Sequence, residues 1–216
     1  MKKQLDTSAG AVSLTLDGAG AAHVLVLAHG AGAGMSHPFM QAVAERLATH
    51  DVTVVRFNFA YIEAGKKAPD RQPVLEETFR AVADHVRDEL QPSTLFLGGK
   101  SMGGRIASHL AAGGFVCDGL VFLGYPLHPP GRPDRLRDAH LYEIDVPMLF
   151  VEGSRDPFCP LDTLEAVRAK LHAANEVVVI EDGDHSFKVR KSSGRTTEQA
   201  LDSVVESVAA CIKRLG

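Results

Sequence analysis

The chain alternates short runs of apolar, often β-branched residues with longer segments in which apolar residues recur at helical spacing. This alternation predicts an α/β fold, with a mostly parallel sheet of about six to seven strands and helices on both faces. Most strands are continuously apolar, as strands buried on both faces are. The predicted strands are residues 11–16, 23–28, 52–57, 94–98, 119–123, 147–152 and 176–181. The predicted helices are residues 38–50, 74–90, 102–112, 161–173 and 197–214.

Two stretches that contain prolines but no periodicity, residues 58–73 and 124–146, are predicted to be surface loops. The second stretch is too short to form a helical cap domain, so we expect an open, shallow pocket. The sequence contains no repeat and no linker of distinct composition. Residues 1–216 are therefore predicted to form a single domain.

Composition excludes several classes of function. Lysine and arginine together number 23 and aspartate and glutamate 27, a net charge of −4, so no overall positive field is available for nucleic acid or an anionic membrane. No apolar run is long enough to span a bilayer or to form a secretion signal. Cys117, Cys159 and Cys211 are far apart and form no CxxC pair, which argues against a disulfide framework or a thiolate zinc site. We expect a cytoplasmic protein without a metal or another cofactor, and the sequence leaves its oligomeric state open.

The pattern with the clearest chemical meaning is Gly99-Lys100-Ser101-Met102-Gly103, a G-x-S-x-G motif. It lies where the strand at 94–98 must turn into the helix at 102–112. Glycines on both sides of a serine permit a strained turn that exposes the hydroxyl above the sheet, beside the positive end of a helix. We predict Ser101 to be a nucleophile.

A serine hydroxyl needs a base, and the base needs an orienting carboxylate. Asp156 follows the strand at 147–152 and His185 follows the strand at 176–181, so the chain order is Ser, Asp, His. All three would lie at the carboxyl edge of the sheet, where open α/β sheets place their sites. The rival acids are Asp145 and Glu152, whereas Asp182 and Asp184 are too close to His185 in sequence to reach its far nitrogen easily. The loop histidines His37, His128 and His140 are possible substrate contacts.

The glycine-rich loop at residues 29–34, directly after the strand at 23–28, is placed to stabilise an oxyanion. We predict the backbone N–H groups of Ala31 and Met102 as donors, with Gly32 as the alternative to Ala31. The even spacing of these glycines does not match the dinucleotide-binding pattern. We also expect substrate contacts from five neighbouring residues: His29, Gly30, Gly32, Lys100 and Tyr125.

Taken together, these motifs resemble the α/β-hydrolase superfamily over about residues 11–214. The segments 29–35, 57–61, 68–70 and 98–105 more closely resemble small, lidless bacterial hydrolases related to the testis-expressed hydrolase-like proteins and to a scaffold subunit of the NSL chromatin complex. The resemblance implies a Ser101–Asp156–His185 triad on a three-layer fold without a cap domain. Dienelactone hydrolases are similar in size but use cysteine where this chain has Ser101.

We therefore predict a serine esterase that acts on a small or exposed ester, or thioester, through an acyl-enzyme on Ser101. Two alternatives stay open: a peptidase or acyltransferase with the same triad, and a non-catalytic scaffold, which is the role of some relatives. The loops near the predicted site are rich in basic residues and so suggest an acidic substrate, although a solvated surface explains them equally well. These basic residues are Lys66, Lys67, Arg71, Arg132, Arg135, Arg137, Lys188, Arg190, Lys191 and Arg195.

Overall fold

The computed structural model describes residues 2–20 and 22–216. Its strands are β1 (Lys2–Thr7), β2 (Gly10–Asp17), β3 (His23–Ala28), β4 (Val52–Phe57), β5 (Thr94–Lys100), β6 (Gly119–Leu123), β7 (Met148–Gly153) and β8 (Asn175–Ile180). Its helices are α1 (Pro38–Ala48), α2 (Ala60–Glu63), α3 (Gln72–Leu90), α4 (Met102–Ala112), α5 (Leu161–Arg168) and α6 (Thr197–Leu215). The predicted α/β class is therefore confirmed.

The eight strands form one sheet in the order β1-β2-β4-β3-β5-β6-β7-β8. Strands β1 and β2 are antiparallel, as are β2 and β4, and the remaining neighbours are parallel. The parallel strands all point their carboxyl ends toward the same edge. Loops from β3, β5, β7 and β8 therefore meet there.

Side chains that alternate along each strand separate the core into two apolar layers. In β3, Val24 and Val26 pack in the layer that holds the buried faces of α3, α4 and α5, while Leu25 and Leu27 face α1 and α6. This alternation is the two-residue period of a strand, and it lets a continuously apolar sequence bury both faces. The result is three layers, with helices on both sides of the sheet.

The helices begin where local sequence favours a start. Pro38 occupies the first turn of α1, and α3 likewise has a proline in its first turn. In α6, the Thr196 side chain accepts from the Gln199 N–H while the Gln199 side chain accepts from the Thr196 N–H. Helix α4 begins immediately after Ser101, which determines the geometry of the site.

The structure differs from the sequence prediction in one strand, one helix end and two loops. Strand β1 brings the count to eight; it forms a hairpin with β2 in which Thr7 pairs with Gly10. Helix α5 ends at Arg168, five residues before the predicted end, because the chain leaves the helix through a turn at residues 169–170. The predicted loops 58–73 and 124–146 contain helix α2 and a short 3₁₀ helix at Ala139–Glu143. No helix within the described residues has the length and apolar character needed to cross a membrane.

Candidate active site

Ser101 occupies a strained turn between β5 and α4. Its backbone has φ 52° and ψ −113°, a conformation that costs about 1–3 kcal/mol for a residue with a side chain. The Ser101 N–H donates to the Leu123 carbonyl oxygen at 3.0 Å, which ties the turn to the end of β6. A Cβ on Gly99 would fall 2.6 Å from the Ala28 carbonyl oxygen, and one on Gly103 would overlap the same oxygen. Glycine at these two positions lets α4 start against the end of β3.

The three predicted polar residues form a continuous hydrogen-bond chain. His185 Nε2 lies 2.9 Å from Ser101 Oγ, and His185 Nδ1 lies 2.6 Å from Asp156 Oδ2. An ionised carboxylate only accepts, so Nδ1 carries the proton and Nε2 is free to accept from the serine hydroxyl. The Asp156 side chain is fully buried, and its Oδ1 accepts from the Phe158 N–H at 2.8 Å. The structure thus brings the three residues together in the order that general-base activation requires.

The rival acids lie elsewhere. Asp184 Oδ1 accepts from the Ser186 and Lys188 N–H groups and so shapes the loop that carries His185. Asp182 pairs with Arg155 and Arg190, and Asp145 is exposed. None of these three carboxylates is hydrogen-bonded to His185.

The loop after β3 lies beside the nucleophile. Gly30, Ala31 and Met102 line the same cleft as Ser101, whereas Gly32, in a left-handed turn, does not line it. The Met102 N–H is in the first turn of α4, where backbone donors have no partner within the helix. The arrangement offers the two N–H groups predicted for an oxyanion, with Ala31 better placed than Gly32.

His29 does not line the cleft, contrary to prediction. Its side chain is fully buried; Nδ1–H donates to the Gly30 carbonyl oxygen at 2.8 Å, and Nε2 accepts from the Phe59 N–H at 3.2 Å. Burial lowers the pKa of His29 to about 4, so the ring is neutral near pH 7. His29 therefore holds the Gly30–Ala31 loop against the end of β4 and has no surface for a substrate.

Tyr125 also has no substrate-facing surface. It is fully buried, and its hydroxyl lies 3.3 Å from Ser108 Oγ and 3.2 Å from His140 Nε2. Burial raises the pKa of its hydroxyl above the ordinary value. The predicted substrate contact at Tyr125 is wrong, because the chain turns this side chain into the apolar layer.

Lys100 lies behind the triad. It contributes to the cleft lining, but its ammonium is buried, 5.5 Å from the centre of the Phe187 ring, without a hydrogen-bond partner among the described residues. A Cβ on Gly124 would fall 2.7 Å from Lys100 Nζ and 3.4 Å from His185 Nδ1, and the φ of 69° at this position favours glycine. Burial lowers the pKa of Lys100 to about 8, opposed by the charges of Glu152, Asp156 and Asp184.

Glu152 is the buried acid that faces Lys100. Its Oε1 accepts from the Tyr125 N–H at 2.6 Å, while Oε2 has no hydrogen-bond partner among the described residues. Burial raises the pKa of Glu152 well above its ordinary value, and the positive charge of Lys100 opposes this rise. Lys100, Glu152 and Asp156 are thus three buried titratable groups that lie close enough to act on one another through their charges, next to the catalytic histidine candidate.

A cleft of about 560 Å³ opens at Ser101 and His185. This volume is typical of small-molecule sites. One wall comes from the loop before α3 and from the first turns of that helix, and the other from the loop after β6. The lining residues are Pro69, Asp70, Gln72 and Leu75 on the first wall, and Pro126, His128, Pro130 and Arg137 on the second. His37 also lines the cleft, whereas His140 does not.

Arg105 is a cleft residue that the sequence prediction missed. It lies four residues after Ser101 on α4, and residues four apart share a helix face. That spacing from the predicted nucleophile could have identified it. Of the basic loop residues considered from sequence, Arg137 lines the cleft and the other nine do not.

Among the described residues, no group of three or more His, Cys, Asp or Glu side chains could hold a metal ion. The groups that meet at the cleft are the serine hydroxyl, the histidine imidazole, the buried carboxylate that holds this imidazole, and two backbone N–H donors. Such a set can perform nucleophilic acyl transfer.

Comparison with known proteins defines the class of the chain. A family model described as an alpha/beta hydrolase domain matches residues 21–213, so the protein belongs to this family. The predicted three-layer α/β-hydrolase fold without a cap domain is confirmed, with eight strands rather than six or seven.

Solved structures agree with this fold. An alpha-beta serine hydrolase homologue from Coxiella burnetii is 18% identical with a TM-score of 0.77, covering 98% of this chain and 97% of that one. A serine hydrolase without a lid from Xanthomonas campestris is 21% identical with a TM-score of 0.77, covering 98% and 94%. Dienelactone hydrolase from Anabaena variabilis is 21% identical with a TM-score of 0.75, covering 97% and 95%. The narrower resemblance to testis-expressed and NSL-complex proteins stays a prediction.

Proposed function

We propose that this protein is a serine hydrolase that cleaves carboxylic esters through an acyl-enzyme on Ser101. The observation that carries the proposal is the hydrogen-bond chain Asp156–His185–Ser101, with 2.6 Å and 2.9 Å between its partners, at the floor of an accessible cleft. Solved neighbours that are described as esterases include Est1E from Butyrivibrio proteoclasticus and an esterase domain from Rhodothermus marinus. These neighbours support an esterase activity for this chain.

In the proposed mechanism, Ser101 Oγ attacks the carbonyl carbon while its proton passes to His185 Nε2. Asp156 holds the Nδ1–H and stabilises the imidazolium. The oxyanion accepts hydrogen bonds from the N–H groups of Ala31 and Met102. The alcohol leaves with the proton from His185, and water, activated by the same nitrogen, releases the acid and restores the serine.

The geometry favours this chemistry over a scaffold role because the strain at Ser101 is retained beside a base and an oriented acid. Strain of this kind is concentrated at functional sites. A small-molecule ester is the proposed substrate; the net charge of −4 supports neither a nucleic acid nor an anionic membrane as partner. Three unpaired, buried cysteines fit a reducing compartment, and we propose the cytoplasm.

The test is pre-steady-state hydrolysis of p-nitrophenyl acetate by the wild type, Ser101→Ala and the exposed-serine control Ser36→Ala. We expect a burst of nitrophenol, an acetyl adduct by intact mass, and the loss of both in Ser101→Ala alone. Preferential cleavage of amides, or transfer to an acceptor other than water, would favour a peptidase or acyltransferase. A folded wild type without turnover or adduct would favour the scaffold.

A further inference from the structure

Two arginine side chains line the cleft that contains Ser101. Arg105 extends from α4, four residues after the nucleophile candidate, and Arg137 comes from the 124–146 segment. The Arg137 N–H donates to the Leu127 carbonyl oxygen at 2.7 Å, which anchors that segment beside the cleft. Both guanidinium groups therefore stand on positions fixed by backbone structure.

Neither arginine forms an ion pair with a carboxylate of the described residues. Arg105 Nη1 donates to Gln72 Oε1 at 3.1 Å and lies 3.2 Å from His109 Nε2, which are both neutral acceptors. Its Nε is buried without any hydrogen-bond partner among the described residues. Partial burial of a guanidinium without a counter-ion costs free energy, so the retention of Arg105 at this half-buried position requires another explanation.

The carboxylates of the surrounding segments are hydrogen-bonded to other groups, although the charge of Glu76 does act on Arg105. Glu76 accepts from the Gln72 side chain at 2.7 Å, and Asp138 accepts from the Tyr142 hydroxyl at 2.6 Å. Asp70, the one acidic residue of the cleft lining, lies 3.9 Å from Lys66 Nζ. The wall around Arg105 and Arg137 consequently carries positive charge that Glu76 offsets only in part and that no carboxylate of the described residues pairs with directly.

The neighbouring histidines do not carry compensating charge either. The rings of His109 and His140 stack with their centres 3.6 Å apart. Burial and the charge of Arg105 lower the pKa of His109 to about 4 and that of His140 to about 3. Burial, followed by the charge of Arg137, also lowers the pKa of Arg105. Elsewhere the fold pairs its buried arginine: Arg56 binds both oxygens of Asp17, at 2.7 Å and 2.9 Å.

We propose that Arg105 and Arg137 form an anion-binding subsite that holds a carboxylate of the substrate whose ester bond Ser101 attacks. The planar guanidinium group matches a carboxylate through paired N–H donors. The substrate class is thus an ester with a free carboxylate a few atoms from the scissile bond, such as the half-ester of a dicarboxylic acid. This inference rests on the proposed ester hydrolysis at Ser101.

The experiment compares kcat/KM for neutral p-nitrophenyl butyrate and for mono-p-nitrophenyl half-esters of malonate, succinate, glutarate and adipate. The wild type, Arg105→Met, Arg137→Met and the control Arg135→Met are assayed side by side; Arg135 is exposed on the same segment and does not line the cleft. We expect a preference for one half-ester length. The anionic-to-neutral ratio should fall about 10- to 100-fold in each cleft variant and stay unchanged in Arg135→Met.

Arg105→Lys, which keeps the charge but lacks the planar donor pair, should retain part of the preference. The subsite would be overturned if the wild type hydrolyses p-nitrophenyl butyrate and Arg105→Met leaves the anionic-to-neutral ratio of kcat/KM unchanged.

If the wild type hydrolyses neither the neutral ester nor the half-esters, the proposed esterase activity fails. The subsite is then tested separately, by calorimetry of glutarate binding to Ser101→Ala and to Ser101→Ala/Arg105→Met. Glutarate binding that requires Arg105 would support it; no binding, or binding of inorganic phosphate in preference to glutarate, would overturn the carboxylate assignment.

Discussion

The two sides of the cleft treat buried charge in opposite ways. On the triad side, Lys100 faces the carboxylates of Glu152 and Asp156, and Asp156 is hydrogen-bonded to His185. On the arginine side, Arg105 and Arg137 face neutral groups, and no carboxylate pairs with them among the described residues. Both sides place titratable groups in at least half-buried positions within one small cleft, but the charges of three carboxylates act on Lys100, whereas only that of Glu76 acts on Arg105.

This difference indicates what each side is for. Removing charge from water costs free energy that an internal partner offsets, so a paired group can serve folding and orientation. An unpaired cation is offset only when a ligand supplies the opposite charge. The triad side is therefore built to hold catalytic groups in position before the substrate arrives, and the arginine side is completed by the substrate.

The largest expected effect tests the orientation provided by the triad side. Asp156→Asn should lower kcat by about 10⁴-fold, because an amide no longer imposes the His185 tautomer in which Nε2 accepts the serine proton. Circular dichroism should show an intact fold. Ester turnover is measured beside Asp145→Asn, which alters an exposed acid. Near-normal turnover in Asp156→Asn would assign the acid role to another carboxylate, with Glu152 the nearest.

The second prediction compares how much Lys100 and Arg105 each contribute to the free energy of unfolding. Lys100→Met should lower the free energy of unfolding by about 3 kcal/mol at pH 7, because it leaves Glu152 and Asp156 without their cation. Arg105→Met should change it by less than about 1 kcal/mol or stabilise the protein, because it removes an unpaired buried charge. Urea unfolding gives both values.

A double variant serves as the control for that contrast. Lys100→Met/Glu152→Gln should be less destabilised than the sum of the two single variants, because each single change leaves one charge unpaired. Additive effects in this cycle, or a large loss of stability in Arg105→Met, would mean that the two sides do not differ as described.

The pH dependence of stability sharpens the comparison, because buried histidines on both sides are neutral. The pKa of His29 is about 4 in the folded protein against 6.5 in an unfolded chain, so the unfolded chain binds more protons between these values. The stability from neutral His29 is fully present above pH 6.5 and is lost as the pH falls toward 4. Its loss amounts to about 3 kcal/mol.

The measurement is the free energy of unfolding at several pH values between 7 and 4. His29→Gln should be less stable at pH 7 but should show a shallower decrease with falling pH. His37→Gln, in which an exposed histidine changes, should keep the wild-type slope. Equal slopes in the wild type and His29→Gln would contradict the assignment of this proton linkage to His29.

Much of the fold was predictable because the parallel strands are continuously apolar, and their order along the chain placed Ser101, Asp156 and His185 at one edge. Strand β1 was not predictable, because its sequence KKQLDT has one apolar side chain, Leu5. This strand is held by its pairing with β2 at the edge of the sheet. The walls of the cleft were not predictable either, because residues such as Pro69 and Pro130 come from loops whose paths have no periodic signal.

Individual roles were harder to predict than positions. His29 and Tyr125 follow strands that end at the site, but their side chains turn inward, and strand position alone does not specify that direction. Arg105 was missed although its spacing of four residues from Ser101 places it on the helix face next to the nucleophile candidate. Its significance lies in the absence of a carboxylate around it, which is a property of tertiary packing.

The central claim, that Ser101 is an activated nucleophile, is tested most directly by intact-mass labelling with a fluorophosphonate, which needs no knowledge of the natural substrate. Both proteins are confirmed to be folded and are treated with the probe for the same time. We predict one adduct per chain on the wild type and none on Ser101→Ala. A folded wild type that remains unlabelled, or an adduct that persists in Ser101→Ala, would contradict the account.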